Sequence, residues 1–206
     1  MTKWIKKSIE EAYERGQRDF SYENFAGLNF EKIYLVNANL MGTNLRGTNL
    51  TRANLSGINL IGANLAGANL TGADLSEATL SGANLSGATL TEADLTRADL
   101  SEATLTWANL SGAILTWADL TGADLRDADL VGAKLDYANL RGANIDYSSW
   151  PLWCGSLNVK VDNRIAVQLC YHFCALDCDD SEYQELRQKC LAFANQMHRT
   201  DVERLV

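Results

Sequence analysis

The sequence predicts an all-β solenoid, and three regularities along the chain indicate this fold class. Leucine occupies every fifth position from Leu35 to Leu140. Other large apolar residues extend the same phase at the two ends, at Phe20, Phe25, Phe30 and Ile145. Alanine stands two positions before each leucine through the later repeats, from Ala63 to Ala143, and Asn or Asp usually stands directly before the leucine.

A spacing of five residues suits neither ordinary type of secondary structure. Five residues advance an α-helix by about 500°, or roughly 140° net, so the leucines would scatter around the helix. In a strand, an odd spacing sends successive side chains to opposite faces. A chain that turns once in every pentad directs each leucine toward a common axis, and this is the geometry of a solenoid.

Turn-forming residues lie between the leucines, where the solenoid needs corners. Asn and Asp hydrogen-bond to nearby backbone groups, and glycine stands two positions after many of the leucines. Larger residues replace this glycine at several corners, and the sequence therefore predicts that those corners do not require a positive φ angle. The replacements include Glu77, Arg97, Trp107, Trp117 and Tyr137.

The motif A-[N/D]-L-x-x, present as ANLSG, ANLTG and ADLTR, resembles the repeat of the pentapeptide repeat family over about residues 18–148. The resemblance implies a right-handed quadrilateral β-helix with four pentads, or about 20 residues, in each coil. Coils stacked about 4.8 Å apart would build a rod roughly 30 Å long. We assign residues 18–150 to this β-helix.

The first segment, residues 1–17, is predicted to be a capping helix over Thr2 to Arg15 that ends at Gly16. The end coil of a solenoid exposes its backbone edge and one layer of the core, so a cover is expected there. Helical spacing places five apolar residues on one face of this segment, namely Trp4, Ile5, Ile9, Ala12 and Tyr13.

The last segment, residues 151–206, is predicted to be a C-terminal cap with two helices. The repeat breaks at SSWPLWCGSLNVKVDNR, where Pro151 cannot donate a backbone hydrogen bond. The stretch WPLWCGSLNVKVD resembles a tail of bacterial and prophage pentapeptide proteins. One face of the second helix either packs on the rest of the cap or forms a homodimer interface. Its residues are Tyr183, Leu186, Cys190, Phe193 and Met197.

Neither a metal site nor a cofactor site is predicted. Cys170, Cys174 and Cys178 are four residues apart, and a straight helix spreads the outer two over about 12 Å, too far for one zinc ion. The sequence contains neither a G-x-S-x-G nor a G-x-x-x-x-G-K motif, so we predict that the protein is not an enzyme and has no catalytic residues. Five cysteines and a charged first segment without an apolar stretch predict a cytoplasmic protein with no membrane contact.

Function is therefore expected to come from the outer surface. Four pentads per coil place Glu77, Arg97, Trp117 and Tyr137 in one column, where Arg97 can pair with Glu77 and contact the Trp117 ring. A neighbouring column is predicted to hold Trp107, Asp127 and Tyr147. These aromatic rings either protect the backbone by stacking or bind a partner. The candidate partner-binding residues are Arg97, Trp107, Trp117 and Tyr137.

We predict a noncatalytic interaction module, a rigid rod that docks an unknown protein. The alternative that the resemblance implies is a DNA mimic that inhibits or protects DNA gyrase or topoisomerase. A duplex of about 30 Å carries about 18 phosphate charges, whereas residues 31–141 have 12 acidic and 7 basic residues. With a net charge of −8 and no basic stripe, the chain is not expected to bind nucleic acid directly.

Overall fold

The computed structural model describes residues 4–149 and the single residue Gln188, which is helical and exposed. Apart from Gln188, the predicted C-terminal cap lies outside these residues, as do the predicted end of the repeat at Pro151 and all five cysteines. The same holds for the predicted cap or dimer face, Tyr183, Leu186, Cys190, Phe193 and Met197.

The repeat region is a β-helix in which each coil contains four pentads. Its β structure consists of single-residue parallel bridges between residues 20 apart, from Asp19 and Asn39 to Asp129 and Ser149. From Leu35 to Leu130, the N–H of each repeat leucine donates to a carbonyl in the following coil, as Leu90 does to Asn109 at 2.7 Å. The backbone N–H of the residue before the leucine donates to a carbonyl in the preceding coil. Hydrogen bonds therefore join every inner coil to both of its neighbours. The predicted β-solenoid is confirmed over these residues.

The core is a narrow stack of leucine and alanine. Every leucine from Leu35 to Leu140 is at most 2 % exposed, and the alanines at every fifth position from Ala63 to Ala143 are at most 4 % exposed. Two early pentads carry threonine where later pentads carry alanine. The hydroxyl of Thr43 donates to Leu40 O at 2.7 Å, and that of Thr48 donates to Phe25 O at 3.0 Å. These hydrogen bonds offset the cost of burying the two hydroxyl groups.

Every corner from Tyr22 to Tyr147 has a positive φ angle, whether or not its residue is glycine. Half of these corners carry another residue, including Trp107 at +62° and Trp117 at +63°. The prediction that corners without glycine do not require positive φ is therefore wrong. The same four-residue turn closes each corner from Gly27 onward, as where Ala118 N donates to Leu115 O at 3.0 Å. Positive φ at the third residue is what a type II turn requires.

Hydrogen bonds between coils explain why the corner geometry does not depend on the residue. Trp117 N donates to Asp136 O at 2.8 Å, and Gly122 N makes the equivalent bond to Arg141 O at 2.9 Å. A residue that left this conformation would lose the bond to the next coil. A left-handed backbone conformation costs a residue with a Cβ atom about 1–2 kcal/mol. The hydrogen bonds between coils therefore outweigh the backbone preference of the corner residue.

Some corner side chains lie over the glycine of the next coil. A Cβ atom added at Gly57 would stand 2.1 Å from Oδ1 of Asn37, the corner residue one coil earlier. At Gly62, which has nearly the same φ angle, an added Cβ atom would meet nothing within 4 Å. Gly57 and Gly62 therefore differ in their surroundings and not in their backbone conformation.

We expect Gly57→Ala to destabilise the protein more than Gly62→Ala. Both substitutions add a Cβ atom at positive φ, which costs about 1 kcal/mol. Gly57→Ala must also displace the Asn37 side chain, which adds about 1 kcal/mol. Urea unfolding of the two variants measures the difference. Adding Asn37→Ala to Gly57→Ala should remove the extra destabilisation. Equal losses of stability in Gly57→Ala and Gly62→Ala would contradict this explanation.

The helix α1 spans Lys6–Glu14, which is shorter than the predicted helix. Ile5 is extended, with φ −129° and ψ 160°, and is 54 % exposed. Its predicted place on the apolar helix face is wrong, because the extended backbone at Ile5 removes it from that face. Ile9 and Ala12 are buried as predicted, and Gly16 follows the helix with φ +93°.

Trp4 precedes α1 and packs edge-on against the first core layer. Its ring centroid lies 5.9 Å from that of Phe20 and 6.1 Å from that of Phe25. The indole N–H donates to a carboxylate oxygen of Glu23 at 2.8 Å. This geometry buries apolar ring surface and satisfies the polar end of the indole. The segment before α1 therefore covers phenylalanines of the first coil.

Candidate protein-interaction surface

The 20-residue register places Glu77, Arg97, Trp117 and Tyr137 in one column, which we call the Trp117 corner. The rings of Trp117 and Tyr137 stack with centroids 4.2 Å apart and planes at 5°. Trp117 is 52 % exposed and Tyr137 is 37 % exposed. The corner therefore presents an aromatic surface that continues across two coils.

The two charged residues of the Trp117 corner, Glu77 and Arg97, form an exposed ion pair. Arg97 and Glu77 approach to 3.8 Å, and both side chains are about two-thirds exposed, at 66 % and 69 %. An exposed ion pair of this kind contributes little stability. The predicted contact between Arg97 and the Trp117 ring is not found. The cation–π contact within residues 4–149 is instead Arg18 over Tyr13, at 3.7 Å from the ring centroid.

Trp107, Asp127 and Tyr147 form a second column, which we call the Trp107 corner. Trp107 and Trp117 are half of a 20-residue coil apart, so the two corners are diagonally opposite. The prediction that these columns are neighbours is therefore wrong. Trp107 is 69 % exposed and Tyr147 is 85 % exposed, with Asp127 between them. One flat partner surface cannot contact both tryptophans.

Aspartates beside the corners act as turn acceptors. Oδ1 of Asp94 accepts the N–H of Thr96 at 2.9 Å, and Asp99 makes the same contact with Ser101. Their position before leucine thus has a structural role, as the sequence predicted. Asp124 also forms a two-point contact with Arg126, at 2.9 and 2.7 Å. The hydrogen bond from Arg126 is the main reason that the pKa of Asp124 is lowered.

A further aromatic surface lies beside α1 and was not predicted from the sequence. Tyr34 is 56 % exposed and lies edge-on to Tyr13, with centroids 5.8 Å apart. The two rings border an open groove of about 470 Å³. Its other lining residues are Glu10, Glu14, Arg18 and Lys32. The available signal was tyrosine at the position before Leu35, where most repeats have Asn or Asp.

Within residues 4–149, no three His, Cys, Asp or Glu side chains are grouped as a metal ion would require. No helix in the same part of the chain has both the length and the apolar character needed to cross a membrane.

The family model for pentapeptide repeats, which contains 8 copies, matches residues 24–57, 53–91, 78–116 and 113–146. The chain matches no curated protein sequence. It is similar to the solved structure of HetL, a pentapeptide repeat protein involved in heterocyst differentiation regulation from the cyanobacterium Nostoc sp. strain PCC 7120. The identity is 26 %, the match covers 77 % of this chain and 95 % of HetL, and the TM-score is 0.22.

Two other solved structures are similar over parts of the chain. A further pentapeptide repeat protein from Nostoc PCC 7120 is 39 % identical, with 43 % of this chain and 84 % of that protein covered and a TM-score of 0.36. QnrB1, a plasmid-mediated fluoroquinolone resistance protein, is 19 % identical. That match covers 75 % of this chain and 86 % of QnrB1, with a TM-score of 0.38.

Proposed function

This chain belongs to the pentapeptide repeat family, and from that premise we propose that it is a noncatalytic interaction module that binds a protein partner at the Trp117 corner. The binding residues are Trp117 and Tyr137, with Arg97 beside them. The remaining coils hold this surface in a fixed position.

The observation that carries the proposal is an exposed aromatic stack at a corner that favours glycine. Trp117 has φ +63° and Tyr137 has φ +60°. Glycine at either position would relieve the backbone strain, and glycine occupies half of the corners. Strained backbone and exposed aromatic rings are both more common at functional sites and interfaces than elsewhere.

The β-helix supports this role because it leaves little conformational freedom at the corner. Trp117 N is held by Asp136 O at 2.8 Å, and Ala118 N is held by Leu115 O at 3.0 Å. Ring stacking with Tyr137 restricts the Trp117 side chain further. A surface that is already ordered loses less entropy when it binds, so more of the contact energy appears as affinity.

The Trp107 corner provides a matched control. It has the same residue types, Trp107 and Tyr147, at positive φ on the diagonally opposite corner. However, Asp127 separates the two rings along the column. The continuous aromatic surface at Trp117 and Tyr137 favours that corner as the binding surface.

Affinity capture from the native host tests the proposal with two double variants. We expect Trp117→Gly with Tyr137→Gly to lose at least one partner that the wild-type protein captures. Trp107→Gly with Tyr147→Gly should retain that partner. Both variants place glycine at positive φ, where it is the least strained residue, so neither should disturb the β-helix.

Thermal melting and circular dichroism verify that both double variants remain folded. A photoreactive residue at Thr116, directly beside Trp117, should crosslink the same partner. If the two double variants capture the same proteins in equal amounts, the proposed role of the Trp117 corner is wrong.

A further inference from the structure

We infer that the groove beside α1 binds a small zwitterionic compound with a large apolar side group, such as an amino acid or a dipeptide. The groove has a volume of about 470 Å³. Sites for small molecules typically have volumes of about 300–1,000 Å³. Because the groove is formed by α1 and the first coil, this inference does not depend on the Trp117 corner or on its partner.

Arg18 supplies one half of the proposed site, because its guanidinium group is held in place but is not neutralised. Nη1 donates to Tyr13 O at 2.7 Å and to Gln17 O at 3.0 Å, and the group lies 3.7 Å from the centroid of the Tyr13 ring. Within residues 4–149, Nε and Nη2 have no acceptor and no carboxylate forms an ion pair with Arg18. One edge of a positioned guanidinium group is therefore open to a ligand.

A second arginine of this chain shows which group fits that free edge. Nε and Nη2 of Arg126 donate to the two carboxylate oxygens of Asp124 at 2.9 and 2.7 Å. Two parallel hydrogen bonds of this kind are stronger and more specific than a single charged contact. We therefore expect the Nε and Nη2 edge of Arg18 to bind a carboxylate group of the ligand.

Glu14 gives the same groove an opposite charge that also lacks a partner. Glu14 and Arg18 both line the groove, yet they form no ion pair with each other or with another described residue. The other two charged lining residues, Glu10 and Lys32, each form an ion pair with a nearby side chain. A compound with both an ammonium group and a carboxylate can contact both free charges, whereas a simple anion or cation can contact only one.

Tyr34 supplies the apolar side of the groove. Its side chain is 56 % exposed and stands edge-on to Tyr13, with ring centroids 5.8 Å apart. Arg18 covers one face of the Tyr13 ring, so the Tyr34 ring offers the more accessible aromatic surface. An apolar side group can pack on this ring, and an ammonium group is attracted to its face. The groove should therefore favour an aromatic zwitterion.

The test uses two zwitterions as probes, L-phenylalanine and phenylalanyl-glycine, in which the two charges are further apart. Phenethylamine lacks the carboxylate, and 3-phenylpropionate lacks the ammonium group. We expect at least one zwitterion to bind the full-length protein with a dissociation constant on the order of 1 mM. The two control compounds should bind about threefold to fivefold more weakly, since an exposed charge contact contributes little. Two-dimensional NMR titration measures the affinities and should shift the amide signals of Tyr13 and Tyr34.

Variants that remove one charge assign the two contacts. Glu14→Gln should weaken binding of the zwitterion about threefold to fivefold and leave 3-phenylpropionate unaffected. Arg18→Gln should weaken binding of the zwitterion and of 3-phenylpropionate but not of phenethylamine. Glu11→Gln is the control, because Glu11 is on the same helix but pairs with Lys7 and does not line the groove. Equal weakening of all compounds by Glu14→Gln and by Arg18→Gln would overturn the inference, since it would show a structural effect.

Tyr34→Asn tests the apolar contact and preserves the β-helix, because asparagine occupies the same column one coil later, at Asn54. We expect this variant to bind the zwitterion about tenfold more weakly, while circular dichroism shows an unchanged fold. Unchanged affinity in this variant would overturn the inference. So would a wild-type protein that binds neither zwitterion, or one that binds the zwitterions and the control compounds equally well.

Discussion

Leu90→Asp is expected to unfold the repeat, whereas Thr89→Asp leaves stability nearly unchanged. Leu90 is 0 % exposed in the leucine core. Removing a buried leucine costs about 2–5 kcal/mol, and burying an unpaired carboxylate adds several kcal/mol. Domains are typically stable by only about 5–15 kcal/mol. A coil in a solenoid contacts only its neighbours, so a defect here separates the coils on its two sides.

Thr89 is a control one residue away that receives the same new side chain. It stands before leucine, the position where Asp94 and Asp99 accept backbone N–H groups two residues later. Its bridge neighbours, Asn69 and Asn109, are uncharged, so a new aspartate meets no like charge. We expect Thr89→Asp to change the free energy of unfolding by no more than about 0.5 kcal/mol. Circular dichroism and urea unfolding measure both variants, and a folded Leu90→Asp protein with an unchanged midpoint would show that Leu90 does not point inward.

Phe25→Ala is expected to destabilise the first coils by about 3–5 kcal/mol. Phe25 is 1 % exposed, and its ring lies edge-on to Trp4 at 6.1 Å and to Phe30 at 5.6 Å. The substitution removes both ring contacts and leaves a cavity beneath Trp4. Because that cavity is near one end of the stack, the loss should be greatest in the first coils.

Phe25→Leu is the matched control, because leucine occupies the same column in later coils, at Leu45 and Leu65. We expect this variant to lose about 1 kcal/mol, since a smaller but branched side chain refills part of the space. Hydrogen exchange measures the effect along the rod. Phe25→Ala should increase exchange at Asn39 and Asn44, and Leu125 should change little. Equal losses in the alanine and leucine variants would contradict the role given to the phenylalanine ring.

The core could be predicted from the sequence because burial there depends on a simple repeat. Leucine at every fifth position requires that each pentad turn by the same amount. Alanine two residues earlier is small enough to let the sides of the β-helix approach one another closely. Both residue types are buried as expected. The number of pentads in each coil came from family resemblance, and the bridges between residues 20 apart confirm it.

Two predictions made from local preferences were wrong. Helical spacing extended α1 through Ile5, but the extended Ile5 precedes the helix. The corner with Trp117 was predicted not to require positive φ, yet the bond from Trp117 N to Asp136 O holds it at +63°. In the second case, a hydrogen bond between coils outweighs the preference of a single residue.

The amino-acid pattern alone determined which side chains point inward, because inward and outward positions recur within each pentad. Only the tertiary structure decided which outer side chains meet. It placed Trp117 on Tyr137, put Trp107 on the diagonally opposite corner, and set one aspartate pair on each side of Arg97. The physical reason is that these neighbours are set by hydrogen bonds between residues 20 apart, and a five-residue pattern contains no information about that distance.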